Sequence, residues 1–329
     1  MSDTDAGERR AADLDPNVRA FLETAAALDA PDLTHLSIEQ ARAALEGLYT
    51  PDVEPERVAD VTDRTIRAPA RDVRLRIYDP APGAALPAVV YFHGGGWIAG
   101  DLETHDSVAR SLALRGDCVV VAVDYRKAPE HPFPAAVEDA YLATKWAADN
   151  AAEIGAGEGL AVAGDSAGGT LAAVVPQMAA EKTIDAPKID HQVLLYPATN
   201  RAFDTPSYEQ NADGFALTAR AMVWFWTHYL RGDVDGANPL ASPLRARESV
   251  LSDLPSATVF TCGFDPLRDE GVAYAEALER AGVPVEHANY DDLIHDVANM
   301  RRLPDPFPDV EAADDVLERA GEALRTAFE

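Results

Sequence analysis

Three observations on the sequence predict an α/β fold with a central, mostly parallel sheet flanked by helices. Strand-like segments recur at 73–78, 88–92, 118–124, 160–164, 192–196, 258–264 and 285–290, and helical patterns separate most of them. The central segments are nearly continuous runs of Val, Leu and Ala without alternation, as expected for parallel strands buried on both faces. The third observation is the stretch Gly164-Asp165-Ser166-Ala167-Gly168-Gly169, which follows one such run and precedes Thr170-Leu171-Ala172-Ala173-Val174-Val175. It reads as a strand, a tight turn and a helix, and sheets of this kind bind ligands beyond the carboxyl ends of their strands.

Taken in order, the chain opens with helices. Asp15-Pro16 is a helix start, with Asp as cap and Pro at the first helical position, and Val18, Phe21, Leu22, Ala25 and Leu28 then share a face. Ser37 and Gln40 have capping-box spacing and open a second helix reaching about Tyr49. Both helices need to dock their apolar stripes on later parts of the chain. After the strands begin, one segment breaks the alternation: 203–236 carries Phe203, Tyr208, Phe215, Trp224, Phe225, Trp226 and Tyr229, with a helix expected from Thr218 to Arg231. Arriving between two core strands, it reads as an inserted cap whose aromatic residues either pack the helix or line a pocket. Pro176 falls inside the helix after the Ser166 turn and is expected to kink or shorten it.

Composition limits the function. A chain of 329 residues suffices for one large α/β domain with an insertion, or for two domains. The net charge of −28 sets 56 acidic residues against 28 basic ones, of which Lys127, Lys145, Lys182 and Lys188 are the lysines. Such a surface repels nucleic acid and acidic membranes, and it repels itself unless salt screens it, so a salt-adapted protein is expected. The first ten residues lack a basic stretch followed by an apolar run, and the apolar strands fall far short of the roughly 18 residues that span a bilayer. A cytoplasmic protein without a membrane span is therefore expected, with Cys118 and Cys262, both in strand-like runs, as buried free thiols.

The chemistry centres on Ser166. At a strand-to-helix turn, a Ser between small residues is held in strained backbone geometry that projects its hydroxyl, while the helix N-terminus points beneath it. The Ala167 N–H is the first available donor for a developing oxyanion. After the segment 88–92 comes His93-Gly94-Gly95-Gly96-Trp97, whose glycines let the backbone turn N–H groups toward the same point. It lacks the Gly-Lys-Ser/Thr ending of a phosphate-binding loop.

A serine hydroxyl needs a base, and the base needs a carboxylate, in the chain order Ser, acid, His for this kind of site. Asp265 directly follows the segment 258–264, and His295 follows the segment 285–290. His105 and His131 precede Ser166 and break the order; His93 belongs to the glycine turn. Asp269, Glu270, Asp291 and Asp292 are neighbours that so acidic a chain supplies by composition alone, and Asp165 abuts the nucleophile and should point elsewhere. Asp101, Glu103, His105 and Asp106 have the crowding of metal ligands but read better as a polar loop leading into a helix, so no metal is expected.

These residues resemble the hormone-sensitive-lipase-type (family IV) carboxylesterases of the α/β-hydrolase fold, from about Arg74 to the C-terminus. The resemblance rests on His93-Gly94-Gly95-Gly96-Trp97 with Gly100-Asp101-Leu102-Glu103-Thr104-His105, on Asp124-Tyr125-Arg126-Lys127-Ala128-Pro129-Glu130-His131-Pro132-Phe133-Pro134-Ala135, on Gly164 to Gly169, on Ala241-Ser242-Pro243-Leu244, and on Asp265-Pro266-Leu267-Arg268-Asp269-Glu270-Gly271. It implies a serine carboxylic ester hydrolase for short- to medium-chain acyl esters, working through an acyl-enzyme without a cofactor. It also implies the triad Ser166, Asp265 and His295, and an oxyanion hole from Gly95, Gly96 and Ala167. The expected organisation is residues 1–50 and 203–237 as a helical cap on a core of 51–202 and 238–329, with Trp97, Phe203, Phe215 and Leu217 as substrate contacts. Pairing into a homodimer through the last strand is a family habit. Two rivals remain: an amidase or peptidase with the same triad, and a non-catalytic ligand-binding protein on this scaffold, which would lack the His. One departure stands out, since the family follows its catalytic His with Gly and an aromatic, whereas Asp296 and Val297 follow His295.

Overall fold

A computed structural model of the chain describes residues 13–50, 54–68, 71–181 and 186–329. The N-terminal ten residues and Lys182 therefore lie outside the described residues. Two helices lead, α1 (Pro16–Ala27) and α2 (Ile38–Tyr49). Asp15 caps α1 by accepting from the Asn17 and Val18 N–H groups, and Ser37 with Gln40 forms a reciprocal capping box on α2. Of the stripe expected on α1, Val18 and Phe21 are buried, but Leu28 is half exposed because the helix stops at Ala27.

Eight strands follow: β1 (Asp60–Ala68), β2 (Arg71–Asp79), β3 (Leu86–Phe92), β4 (Val119–Asp124), β5 (Ala156–Asp165), β6 (His191–Leu195), β7 (Ser256–Phe264) and β8 (Val285–Ile294). They form one sheet in the order β1-β2-β4-β3-β5-β6-β7-β8. From β4 to β8 every pairing is parallel, while β1 and β2 add antiparallel at one edge. β1 has no counterpart among the expected strands. Its sequence, Asp-Val-Thr-Asp-Arg-Thr-Ile-Arg-Ala, buries only Ile66 and keeps its charges in water, a pattern that protects an edge strand and hides it from a hydrophobicity reading.

Alternation along the buried strands divides the core between the two faces of the sheet. Val89 and Tyr91 of β3 join one cluster with Val120 and Ala122, and Ala88, Val90 and Phe92 join the other with Val119, Val121 and Val123. On the first face pack α1, α3 (Asp106–Gly116) and α10 (Ala312–Ala327). On the second pack α4 (Ala135–Asp149), α5 (Ala167–Ala180) and α9 (Arg268–Arg280), joined by α7 (Ala219–Tyr229) through Ala221, Met222, Phe225, Trp226 and Tyr229. Two short helices, α6 (Pro206–Gln210) and α8 (Glu248–Leu251), complete the set among the described residues. Helix α5 runs four residues past Pro176, so the proline does not shorten it; burial of Leu171 to Gln177 against the sheet outweighs one lost hydrogen bond. Cys118 and Cys262 are buried and unpaired. No helix among the described residues is long and apolar enough to cross a membrane.

Candidate active site

β5 delivers Asp165 to the sheet edge, and α5 begins at Ala167, leaving Ser166 to make the turn alone. Its φ of 52° with ψ of −118° is a strained conformation for a residue with a Cβ. The turn survives because its neighbours are glycines: a Cβ on Gly164 would strike the Gly168 carbonyl, and one on Gly168 would strike the Phe92 carbonyl. Bonds from the Ser166 N–H to Leu195 O (2.9 Å) and from the Ala198 N–H to Ser166 O (3.3 Å) fasten the turn to the neighbouring strand end.

His295 immediately follows β8 and Asp265 immediately follows β7, so two adjacent strands carry both residues to the same edge. His295 Nδ1 donates to Asp265 Oδ2 at 2.7 Å, and Nε2, left with its lone pair, lies 2.9 Å from Ser166 Oγ. All three side chains are buried. Asp265 is fixed by the Leu267 N–H on its other oxygen (2.8 Å), and Asn211 Nδ2 holds the backbone carbonyls of Asp265 and Gly263. Burial lowers the His295 pKa, but the charges of Asp265, Asp296 and Asp165 outweigh it, so the imidazole titrates above its ordinary range.

The remaining carboxylates have other work. Asp269 accepts from the Ser207 N–H (2.8 Å), and Glu270 accepts from the Thr199 and Asn200 N–H groups (2.7 and 3.1 Å). Burial pushes the Glu270 carboxyl up to about 8. Asp291 and Asp292 are exposed. Asp165 turns away from Ser166: Oδ1 accepts from Tyr91 Oη at 2.5 Å, and Oδ2 lies 3.4 Å from His105 Nε2. Asp101 caps its own loop by accepting from the Glu103 and Thr104 N–H groups, and Asp106 opens α3.

Opposite the serine, His93 stacks on Tyr125 at 4.3 Å, and its ring Nδ1 lies 2.7 Å from Gly94 O. Beyond it, φ is +104° at Gly95 and +60° at Gly96, which turns the peptide planes as only glycine readily allows. No acceptor among the described residues takes the N–H groups of Gly95, Gly96 or Ala167. A Cβ on Gly96 would also run into the Phe225 ring.

These groups open into one cavity of about 370 Å³, at the small end of ligand sites. Its walls come from three places: Phe21 and Ala25 of α1, Leu45, Leu48 and Tyr49 of α2, and Leu217, Met222 and Phe225 around α7. Trp97 and Leu217, both expected as substrate contacts, border the cavity, though Trp97 is fully buried and stacks on Tyr229 at 4.4 Å. Phe203 and Phe215 do not border it. Phe203 packs edge-on against Tyr208 and Phe215 against Phe264, because the chain around α6 spends its aromatic residues on bracing the Asp265 loop. Sequence reasoning missed the α1 and α2 lining residues, although their amphipathic stripe was readable.

Residues 89–299 match the family of the α/β-hydrolase fold. The chain belongs to that family. Among relatives of this α/β hydrolase, esterase LipI of Mycobacterium tuberculosis is 45% identical over 262 residues, covering 78% of this chain and 80% of the relative. The carboxylic ester hydrolase LipN of the same organism is 44% identical over 296 residues, covering 88% and 78%. The crystal structure of a thermostable esterase from Pseudomonas putida superposes with a TM-score of 0.90 at 39% identity, covering 96% of this chain and 98% of that one.

Proposed function

We propose that this α/β hydrolase is a carboxylic ester hydrolase that works through an acyl-enzyme on Ser166. The observation that carries the reading is the pair of contacts His295 Nε2 to Ser166 Oγ and His295 Nδ1 to Asp265 Oδ2, at 2.9 and 2.7 Å. His295 takes the hydroxyl proton as Ser166 Oγ attacks the ester carbonyl, and Asp265 holds the imidazole in the required tautomer and stabilises its charged form. The carbonyl oxygen becomes an oxyanion facing the free N–H groups of Gly95, Gly96 and Ala167. Collapse expels the alcohol, which receives the proton from His295. Water, deprotonated by His295, then cleaves the acyl-enzyme to release the acid and restore Ser166.

The cavity volume and its apolar walls favour short- to medium-chain acyl groups. Residues 1–50 and 203–237 serve as a cap over a core of 51–202 and 238–329, a division supported by the cavity lying between α1, α2 and α7 on one side and the strand ends on the other. β8 is an edge strand and offers a route to a homodimer. The buried free thiols favour a reducing, cytoplasmic setting.

Hydrolysis of a nitrophenyl ester series, with the matched nitroanilide beside each member, tests the reading. Turnover of the short esters and little or none of the anilides supports it; faster anilide cleavage would favour the amidase alternative. The charge of −28 further supports salt adaptation. The melting temperature should rise steeply from dilute buffer to molar salt, and a salt-indifferent melt would refute that part.

A further inference from the structure

The cavity wall changes character beside His295. Elsewhere it is largely apolar, with Phe21, Leu45, Leu217, Met222 and Phe225, but here Asp296, Tyr49, His105 and Thr104 border it. Asp296 sits at a φ of 69°, a left-handed conformation that Asp tolerates better than most residues, and it borders the cavity directly after His295. The Tyr49 hydroxyl is its side-chain hydrogen-bond neighbour. Its Oδ1 atom, though buried, has no hydrogen-bond partner.

No hydrogen bond to it is formed among the described residues, although the Tyr196 hydroxyl, likewise buried without a partner, lies in the field of Asp296. His295 spends Nδ1 on Asp265 and turns Nε2 to Ser166. The His105 ring is committed as well: Nδ1 lies 2.9 Å from Thr104 Oγ1, while Nε2 lies 3.3 Å from the Gly94 nitrogen and from Asn299 Nδ2 and 3.4 Å from Asp165 Oδ2. Asp165, the other charged group facing this corner, is a second acid. A buried acceptor without a donor is costly, and a substrate that brings the donor removes that cost.

We infer that Asp296 is a specificity-determining residue, whose free oxygen accepts a hydrogen bond from a hydroxyl group carried by the substrate close to its ester bond. The inference rests on the esterase reading and deepens it: the preferred substrate is a hydroxy-substituted ester, on its acyl or its alcohol side. A hydroxyl suits this position better than an ammonium group. Burial and the Asp165 charge raise the Asp296 pKa despite the two histidines, and a hydroxyl can donate to the oxygen of either protonation state. Sites built to bond a substrate hydroxyl reject the shape-matched analogue lacking it far more strongly than an apolar pocket rejects an added hydroxyl.

Two shape-matched pairs test it through kcat/KM: the nitrophenyl esters of 3-hydroxybutyrate and 3-methylbutyrate for the acyl side, and 2-hydroxyethyl and propyl butyrate for the alcohol side. The wild type should favour the hydroxyl member of at least one pair by about ten-fold, and Asp296→Gly, which suits the positive φ, should bring that ratio close to one. Because each ratio is taken within one protein, it does not depend on the fraction folded or on a shifted His295 pKa. A wild-type ratio near one in both pairs would overturn the inference while leaving the esterase reading intact, as would a preference that survives Asp296→Gly. Failure of the wild type to turn over any of the four esters would bring down both.

Discussion

His295 Nε2 lies 2.9 Å from Ser166 Oγ although 129 positions separate the two residues in the chain. The distance is closed by parallel strands: β5 carries Ser166, β7 carries Asp265 and β8 carries His295, and all three strands end at the same edge of one sheet. The alignment of the three side chains therefore depends on strand register.

Asp265→Asn removes the charge that orients His295 while keeping the side-chain shape. The imidazole then faces an amide and loses the tautomer that leaves Nε2 free to accept. A fall in kcat of about 10⁴ on a nitrophenyl ester, with little change in melting temperature, is expected. Loss of only a few-fold would show that His295 is held by something else.

Gly96→Ala tests the oxyanion site independently of the triad. The added methyl is driven into the Phe225 ring at a φ of +60°, so the backbone must shift and the N–H group must move. The expected loss is about 10² to 10³ in kcat, with a smaller change in KM. Gly96→Ala combined with Phe225→Ala relieves the collision and should recover part of it. A double variant no better than the single one would place the damage in the backbone conformation instead.

Asp296 sets part of the His295 charge balance. Its carboxylate helps to hold the imidazolium, so His295 stays protonated, and unable to act as base, up to a higher pH. Replacing it by Asn, which also tolerates the left-handed backbone, lowers the His295 pKa and moves the acid limb of the kcat/KM profile to lower pH. A limb that stays in place or moves upward would contradict this electrostatic assignment.

Much of the architecture was legible because parallel strands buried on both faces leave unbroken apolar runs, and because Ser166, Asp265 and His295 each sit at the end of such a run. The capping residues Asp15 and Ser37 announced their helices through local hydrogen bonding, which needs no tertiary context. β1 was hidden because its alternating charges serve an exposed edge. The cavity walls were the least readable part. Phe203 and Phe215 looked like pocket residues by type, yet they brace the Asp265 side of the molecule, while Phe21 and Tyr49 reach the cavity from helices more than a hundred positions before Ser166. Which face of an amphipathic helix meets which site depends on docking that no local pattern encodes.

Intact-mass analysis after treatment with a fluorophosphonate tests the central claim most directly. Wild type should gain one phosphonyl group, mapped by peptide sequencing to Ser166, with activity lost in proportion, and Ser166→Ala should gain none while its kcat falls by about 10⁶. An unlabelled wild type, or a Ser166→Ala variant that still takes the label and still turns over ester, would contradict the assignment of Ser166 as the nucleophile.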